Sequence, residues 1–598
     1  MKNKIKFMLC AVLFSSLLFS CDNAKINKNE PVYVPEWAQG AVWYQIFPER
    51  FRNGSEKNDP TKTEIRRGNA GDWRVTPWTS DWYAMADWEK AKSDKFYDGV
   101  FDRRYGGDLI GVTEKLDYLV ELGVTAIYFN PIFEAYSLHK YDAESYHHID
   151  NNFGRDRDGD RKLMESETKN AEHWAWSSAD SVFLELIAAA HERGLRVIID
   201  GVFNHVGREF WAFQDVLQNG EKSKYADWFT IYQFDDPDTP EDEMKYASWW
   251  NSWFLVEFRE DENGLVEPVR KHIWAITKRW MDPNGDGDPA DGIDGWRLDV
   301  VPDVAMPFWA DWGAYVRELN PDAYIVGEVW EEASQYIAND KFHAVMNYPF
   351  ARLAVNFFID KKEKKINASQ FAAKLDTLLQ VYPRQVMLGM QNLIDSHDTD
   401  RLASMIKNPD RPYDHDAGPR SNKNYDVTKP TEIERKVQLM IAAFQCVFPG
   451  APMIYYGDEA GMWGADDPDD RKPMPWPEFK YDDETYTALG IQADPAKVGF
   501  DHKLFAEYKA IFNLRKQHTA LKTGQYQIVL TDDERELFGL KRWQEGDMVY
   551  AYFNNGEKPQ TMTLPLEARR LKDALEHSVT TTDSTFILKA KSAAIFVR

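Results

Sequence analysis

The chain of 598 residues is poor in cysteine, with three: Cys10, Cys21 and Cys446. Two of them sit in or at the end of an N-terminal segment with the grammar of a leader, so Cys446 is left without a disulfide partner. The mature chain must therefore be held by its core. Positive charge is also in short supply: 72 Lys and Arg against 97 Asp and Glu give a formal charge of −25. That excludes the basic footprint of a nucleic-acid binder and fits a neutral or cationic ligand, or simple solubility. No apolar run after the leader is long enough for a membrane helix. No Gly-rich phosphate turn follows the first strand candidate, which argues against a doubly wound dinucleotide-binding sheet, the second-ranked architecture. Low-complexity segments are absent.

Aromatic residues are abundant: 22 Trp, 28 Tyr and 34 Phe. Phe belongs mainly to a large core. Trp and Tyr, with an apolar face and a polar tip, also suit a half-wet cleft where the apolar faces of sugar rings stack.

The leader begins with Lys2, Lys4 and Lys6 and continues through an apolar stretch from Phe7 to Phe19, too short to span a bilayer. It ends in Leu18-Phe19-Ser20-Cys21, similar to a bacterial lipoprotein cleavage box. The expectation is a signal peptide over 1–20, lipid on Cys21, and a polar tether over 21–36, so that the protein is exported to the cell envelope and touches membrane only through its anchor. An ordinary signal peptide with an incidental cysteine is the other reading.

From Ala41 onward strand-like and helix-like stretches alternate. Leu109, Val112, Leu116 and Leu119 follow helical spacing up to Gly123, and VTAIYFN (124–130) follows. Val182, Leu186 and Ala190 lead to Gly194 and then LRVIIDGVF (195–203). With 41–47, 294–300, 324–330, 344–350, 393–398 and 451–456 these make eight strand candidates, which predicts an α/β fold, a (β/α)8 barrel over 37–518. Long insertions rich in Trp, Asp and Gly interrupt it, the largest over 206–270, where a cleft would be shaped. From about 519 to 598 short alternating strands (526–530, 548–553, 561–566, 593–598) predict a separate antiparallel β domain.

Polar groups close several of the barrel strands: Asp200, Asn204 and His205 in DGVFNH, Arg297 and Asp299 in GWRLD, Glu328 in GEVW, His397 and Asp398 in SHD. A carboxylate ending an apolar run is costly if buried without purpose, and one such residue is usually a cap or ion pair. Four strand ends offering them to one mouth are poorly explained by structure alone.

These motifs, in this order and on these strands, resemble the α-amylase family of glycoside hydrolases (family thirteen) from about Ala41 to Trp476. The resemblance implies that Asp299 is the nucleophile, Glu328 the general acid and then base, and Asp398 the third carboxylate, which holds sugar hydroxyls. Arg297, two residues before Asp299 and so on the same side of its strand, would keep Asp299 ionised. By the same resemblance His205 and His397 donate hydrogen bonds to the innermost sugar, Asp200 orients Arg297, and Tyr141 of HKYD is that sugar's stacking platform. Trp330 would line the cleft. Arg471, with Asp469 assisting, matches a sugar-binding arginine, with a surface ion pair as the alternative. Trp249, Trp250 and Trp253 would wall outer subsites or pack the insertion.

Calcium is expected as a cofactor at one or more of three places. Asn53, Ser55, Asn58 and Asp59, with Gly106 and Asp108, are similar to the calcium site of the cyclomaltodextrinase and neopullulanase branch, with Ser55 where that branch usually has Asp. Asp156, Asp158, Asp160 and Glu167 stand at positions 1, 3, 5 and 12 of an EF-hand-like pattern, with Arg161 where glycine is expected. The acidic turn DPNGDGDPAD (282–291) is the third.

WYQIFPERFRNG (43–54), VMNYPF (345–350) and YYGDEAGM (455–462) look most like that same branch, which acts on cyclodextrins, pullulan and short maltooligosaccharides, often with transglycosylation. Two departures are visible. The tether leads almost directly into the barrel, where many members carry an N-terminal β domain that supports dimerisation, so the oligomeric state is left open. Asp299 is followed by VVPD, and Pro302, which cannot donate a backbone hydrogen bond, and Asp303 stand where leaving-side sugar contacts are usual. The expected activity is retaining hydrolysis of α-glucosidic bonds, mainly α-1,4. A transglycosylase shares every one of these residues, and a non-catalytic glucan-binding envelope protein is the reading from another class.

Overall fold

The structure, a computed structural model, describes residues 32–598 except 66–70, 237, 241, 339–340, 581 and 583; the leader, Cys21 and the tether up to residue 31 lie outside the described residues. Eight parallel strands form the central sheet: β1 (Trp43–Ile46), β2 (Ala126–Phe129), β3 (Arg196–Gly201), β4 (Gly295–Leu298), β5 (Tyr324–Gly327), β6 (Ala344–Val345), β7 (Gln391–Asn392) and β8 (Ala451–Tyr455). Their order is β6-β5-β4-β3-β2-β1-β8-β7. A parallel bridge between Met346 and Gln391 joins the two ends, so the sheet closes into a (β/α)8 barrel.

The strands are short and almost wholly buried, which is why they read as continuous apolar runs without alternation. The helices between them begin at strong caps. Ser177 and Asp180 form a capping box for Ser178–Glu192, and Thr431 and Glu434 do so for Glu432–Val447. The Ser178–Glu192 helix buries Val182, Leu186 and Ala190 against the barrel, and Gly194, with φ of 74°, turns the chain into β3. Gly295 opens β4 because a Cβ there would lie 1.9 Å from the Tyr324 carbonyl oxygen of β5.

Two expected strands are displaced. β7 is Gln391–Asn392, ahead of the expected 393–398, which forms the loop above it; of 344–350 only Ala344–Val345 is strand, and Tyr348–Phe358 is helix.

After the helices His502–Gln517 and Thr519–Thr523, the chain forms a five-stranded sheet ordered Gln525–Asp532, Leu537–Gln544, Asp547–Asn554, Ser592–Val597 and Lys572–Asp573, with a three-stranded sheet beside it. Aromatic packing ties this C-terminal unit to the barrel: Phe371 of a barrel helix sits 5.1 Å from Phe538 and Phe444 of another 5.7 Å from Phe553, centroid to centroid. Among the described residues no helix is long and apolar enough to cross a membrane.

Candidate active site

At the C-terminal ends of β3, β4 and β5 three carboxylates surround one guanidinium. Arg297 and Asp200 are register partners on adjacent strands, so their side chains meet inside the barrel. Arg297 Nη1 donates to both Asp200 oxygens at 3.0 Å and to Asp299 Oδ1 at 2.9 Å, and its Nη2 stands 3.0 Å from Glu328 Oε2. The guanidinium is fully buried, so its geometry is set by these partners and not by solvent. Glu328 is further held by the Val300 N–H and by Trp330 Nε1, each at 2.9 Å. Val300 donates from a left-handed conformation, φ 40° and ψ 49°, unusual for a β-branched residue. The expectation is that Arg297 keeps Asp299 ionised. Burial and the neighbouring Glu328 push its pKa well up, and Arg297, shared with two other carboxylates, only opposes this.

The loop above β7 supplies His397 and Asp398. Burial and Glu328 push the Asp398 carboxyl up to about 7, against the pull of Arg471 and Arg297. His397 is held neutral, chiefly by burial. Its Nδ1 meets Gln45 Nε2 at 2.8 Å, and its Nε2 faces Asp398 Oδ1 at 3.2 Å and the Tyr141 hydroxyl. The Tyr141 ring lies parallel to the His397 ring, 5.4 Å away, and its hydroxyl donates to Asp200 Oδ2 at 3.1 Å. The platform therefore joins both halves of the carboxylate set. Arg471 is buried, not a surface residue; it donates to the His397 carbonyl and stands 3.6 Å from Asp398 Oδ1. Asp469, expected to assist Arg471, instead turns away and accepts from Trp82 Nε1 at 2.8 Å and the Tyr97 hydroxyl at 2.7 Å, while Asp467 pairs with Arg471 at 3.0 Å.

The insertion after β3 forms one wall. Burial lowers the His205 pKa to about 3, so the ring is neutral, and its Nε2 has no protein partner. Trp249 stacks on that ring at 5.2 Å and gives its indole N–H to Asp303 at 2.8 Å; Trp250 stacks on Trp249 and is 82% exposed. Trp250 and the exposed Trp253 thus extend outward and do not pack a core of the insertion. Trp330 lies flat on Tyr348, 3.9 Å between centroids. Sequence reading missed Tyr128, whose hydroxyl holds Asp200 at 2.7 Å, as well as Gln45, Asp467 and the Val300 N–H. Gln45 had a signal, being a polar residue inside an apolar strand.

The three calcium candidates fare differently. Near Asn53 the oxygens fit a hard cation: Asp59, pushed up to about 7 chiefly by burial, accepts from Asn53 Nδ2 at 2.7 Å and forms no ion pair among the described residues. Asn58 Oδ1 is buried without a donor, and Gly106 lies so close that a Cβ there would be 2.2 Å from Asp59 Oδ1. Asp108 is spent differently, as a helix N-cap accepting from the N–H groups of Gly54, Ser55 and Gly111 and from Asn58 Nδ2. The EF-hand-like pattern does not form a loop. Asp156 caps the helix Arg157–Ser166, Asp158 points outward to Arg157, and Asp160 caps the next helix at Ser178 and Ala179. Glu167 instead meets two histidines. In 282–291 Asp282, Asp286, Asp288 and Asp291 accept N–H groups of their own turn.

A (β/α)8 barrel whose strand ends bring three carboxylates onto one buried arginine, beside neutral histidines and stacked aromatics, has the make-up of a glycoside hydrolase. The alpha amylase catalytic domain matches residues 45–172 and 178–524, and the chain belongs to the alpha-amylase family. It is 35% identical over 562 residues to Neopullulanase 2 of Thermoactinomyces vulgaris, covering 93% of this chain and 77% of that one. It is 34% identical over 537 residues to a cyclomaltodextrinase of a Bacillus species, covering 90% and 76%. Among solved structures, the cyclic alpha-maltosyl-(1→6)-maltose hydrolase of Arthrobacter globiformis, in complex with that sugar, superposes with a TM-score of 0.69 at 27% identity, covering 95% of this chain and all of that one.

Proposed function

We propose that this protein is a retaining glycoside hydrolase that cleaves α-glucosidic bonds, mainly α-1,4, in maltooligosaccharides, cyclodextrins, pullulan or starch-like glucans. The observation that carries the reading is the Arg297 fork, with Asp299 at one terminal nitrogen and Glu328 at the other. Two carboxylates on one guanidinium are held near each other, the arrangement that a retaining pair separated by about 5–5.5 Å needs. The similarity to a neopullulanase and a cyclomaltodextrinase supports the substrate class.

In this mechanism an Asp299 oxygen forms a bond to the anomeric carbon as the bond to the leaving oxygen breaks and Glu328 delivers a proton to that oxygen. Water then attacks the anomeric carbon, Glu328 takes its proton, and Asp299 departs. Arg297 neutralises charge between the pair and fixes their positions. Asp398, His397 and His205 hold the hydroxyls of the reacting sugar, and Tyr141 offers it an aromatic face. Trp249, Trp250 and Trp330 extend the apolar surface to further sugars. Asn53, Asn58 and Asp59 would hold a calcium ion, which would brace the loop after β1 by charge alone. Export and lipid attachment at Cys21 belong to the same reading, supported by the leader and its Leu-Phe-Ser-Cys end.

The test is hydrolysis of soluble starch, pullulan and a cyclodextrin by the wild type and by Asp299→Asn. Sugar release by the wild type alone supports the mechanism, and the product pattern identifies the preferred glucan. Binding without release by the wild type would replace the enzyme with a glucan-binding protein.

A further inference from the structure

Outside the cleft, two adjacent histidines and a glutamate converge on one point. His147 Nε2 lies 2.6 Å and His148 Nε2 2.9 Å from the same Glu167 oxygen, and all three groups are nearly closed off from solvent. The potential ligand atoms lie within 4.8 Å of one another. Each ring is anchored through its other nitrogen: His147 Nδ1 to Ser145 Oγ at 2.9 Å, His148 Nδ1 to Asp180 Oδ2 at 2.8 Å. Asp180 is itself fixed by Arg279 at 3.0 Å. Such outer partners orient imidazoles toward a metal and raise their basicity. Trp174 covers His147 face to face at 4.2 Å, and it lies in the stretch 173–177 that the family match leaves out. The site opens on a cavity of about 230 Å³ lined by six glutamates against one arginine and one lysine.

We propose that His147, His148 and Glu167 form a binding site for a divalent transition metal, with Zn²⁺ as the fitting ion, which clips the segment carrying Glu167 to the loop after β2. Two imidazoles and one carboxylate are a zinc-type donor set, unlike the all-oxygen set near Asn53. Ligand atoms on a tetrahedral zinc with bonds of about 2.0–2.1 Å stand about 3.3 Å apart, so the atoms in contact here need part by less than about 1 Å. The acidic cavity supplies the field that draws in a dication. Without metal, His148 would have to be an imidazolium donating to both Asp180 and Glu167, which is the competing arrangement.

The experiment is zinc uptake by the full chain after chelator treatment and return of excess Ca²⁺, read by elemental analysis and calorimetry, with Glu167→Gln and His147→Asn in parallel and folding checked by circular dichroism. One zinc per chain, bound at least tenfold more weakly by each variant, is expected. No uptake, or equal uptake by wild type and folded variants, overturns the site. Should the variants not fold, the wild type loaded with Co²⁺ decides: intense visible bands of a tetrahedral cobalt site support it, and their absence overturns it.

Discussion

Replacing Arg297 by lysine tests the geometry at the heart of the site. The guanidinium meets Asp200 and Asp299 through one nitrogen at 2.9–3.0 Å and approaches Glu328 with the other at 3.0 Å. It is completely buried among the carboxylates it holds, so its role is positioning. A lysine ammonium is a point charge that can serve one of these carboxylates and leaves the others unpaired. Breaking a buried pair costs about 3–5 kcal/mol, which a urea titration of Arg297→Lys should show as a lower midpoint. Released from their fork, Asp299 and Glu328 move relative to each other, and a displacement of about 1 Å can cost about 100-fold in rate. The loss should fall on kcat, with KM for a maltooligosaccharide nearly kept, because the sugar-facing groups remain. A variant within about threefold of wild-type kcat, with an unchanged unfolding midpoint, would refute the idea that the fork positions the pair.

Other outcomes follow from the same geometry. Asp398 is raised from its ordinary 3.8 to about 7, so the native state keeps a proton that the unfolded chain releases, and stability falls as pH rises through that window. Asp398→Asn should therefore be inactive yet melt higher than wild type at about pH 8, with the difference vanishing near about pH 3.5; a lower melting point at both would contradict the assignment. Val300→Gly removes a left-handed β-branched residue, whose strain is about 1–3 kcal/mol, and should gain about 1 kcal/mol in denaturant unfolding while lowering kcat through a looser N–H to Glu328; a loss of stability would count against strain at Val300. Calcium at about 100 times its dissociation constant should stabilise the wild type by about 2.7 kcal/mol and leave Asp59→Asn unchanged; identical melting of the wild type in calcium and in chelator would dismiss that site.

The barrel and the chemical core were legible because both are written locally. Buried parallel strands read as apolar runs, and Asp200, Arg297, Asp299, Glu328 and Asp398 stand out as charges within or just beyond those runs. β7 was placed too late because Gln391 and Asn392 are polar, while the apolar Leu393 and Ile394 belong to the loop above. Leu537–Gln544 was overlooked since it is covered on both faces and shows little alternation. Asp467 and Asp469 differ only in which way a turn points them, and spacing carries no such information. The acidic spacing over 156–167 looked like a loop because its oxygens recur at EF-hand intervals. In the fold those same residues cap two helices, and Glu167 goes to histidines whose meeting no local pattern foretold.

The most direct test of the central claim is the stereochemistry of the first product. Proton NMR of a fresh digest of a maltooligosaccharide or cyclodextrin by the wild type should show the α-anomer forming first and mutarotating later, with Asp299→Asn slower by at least about 1,000-fold. Initial release of the β-anomer, or an undiminished rate in Asp299→Asn, would contradict a retaining mechanism through Asp299.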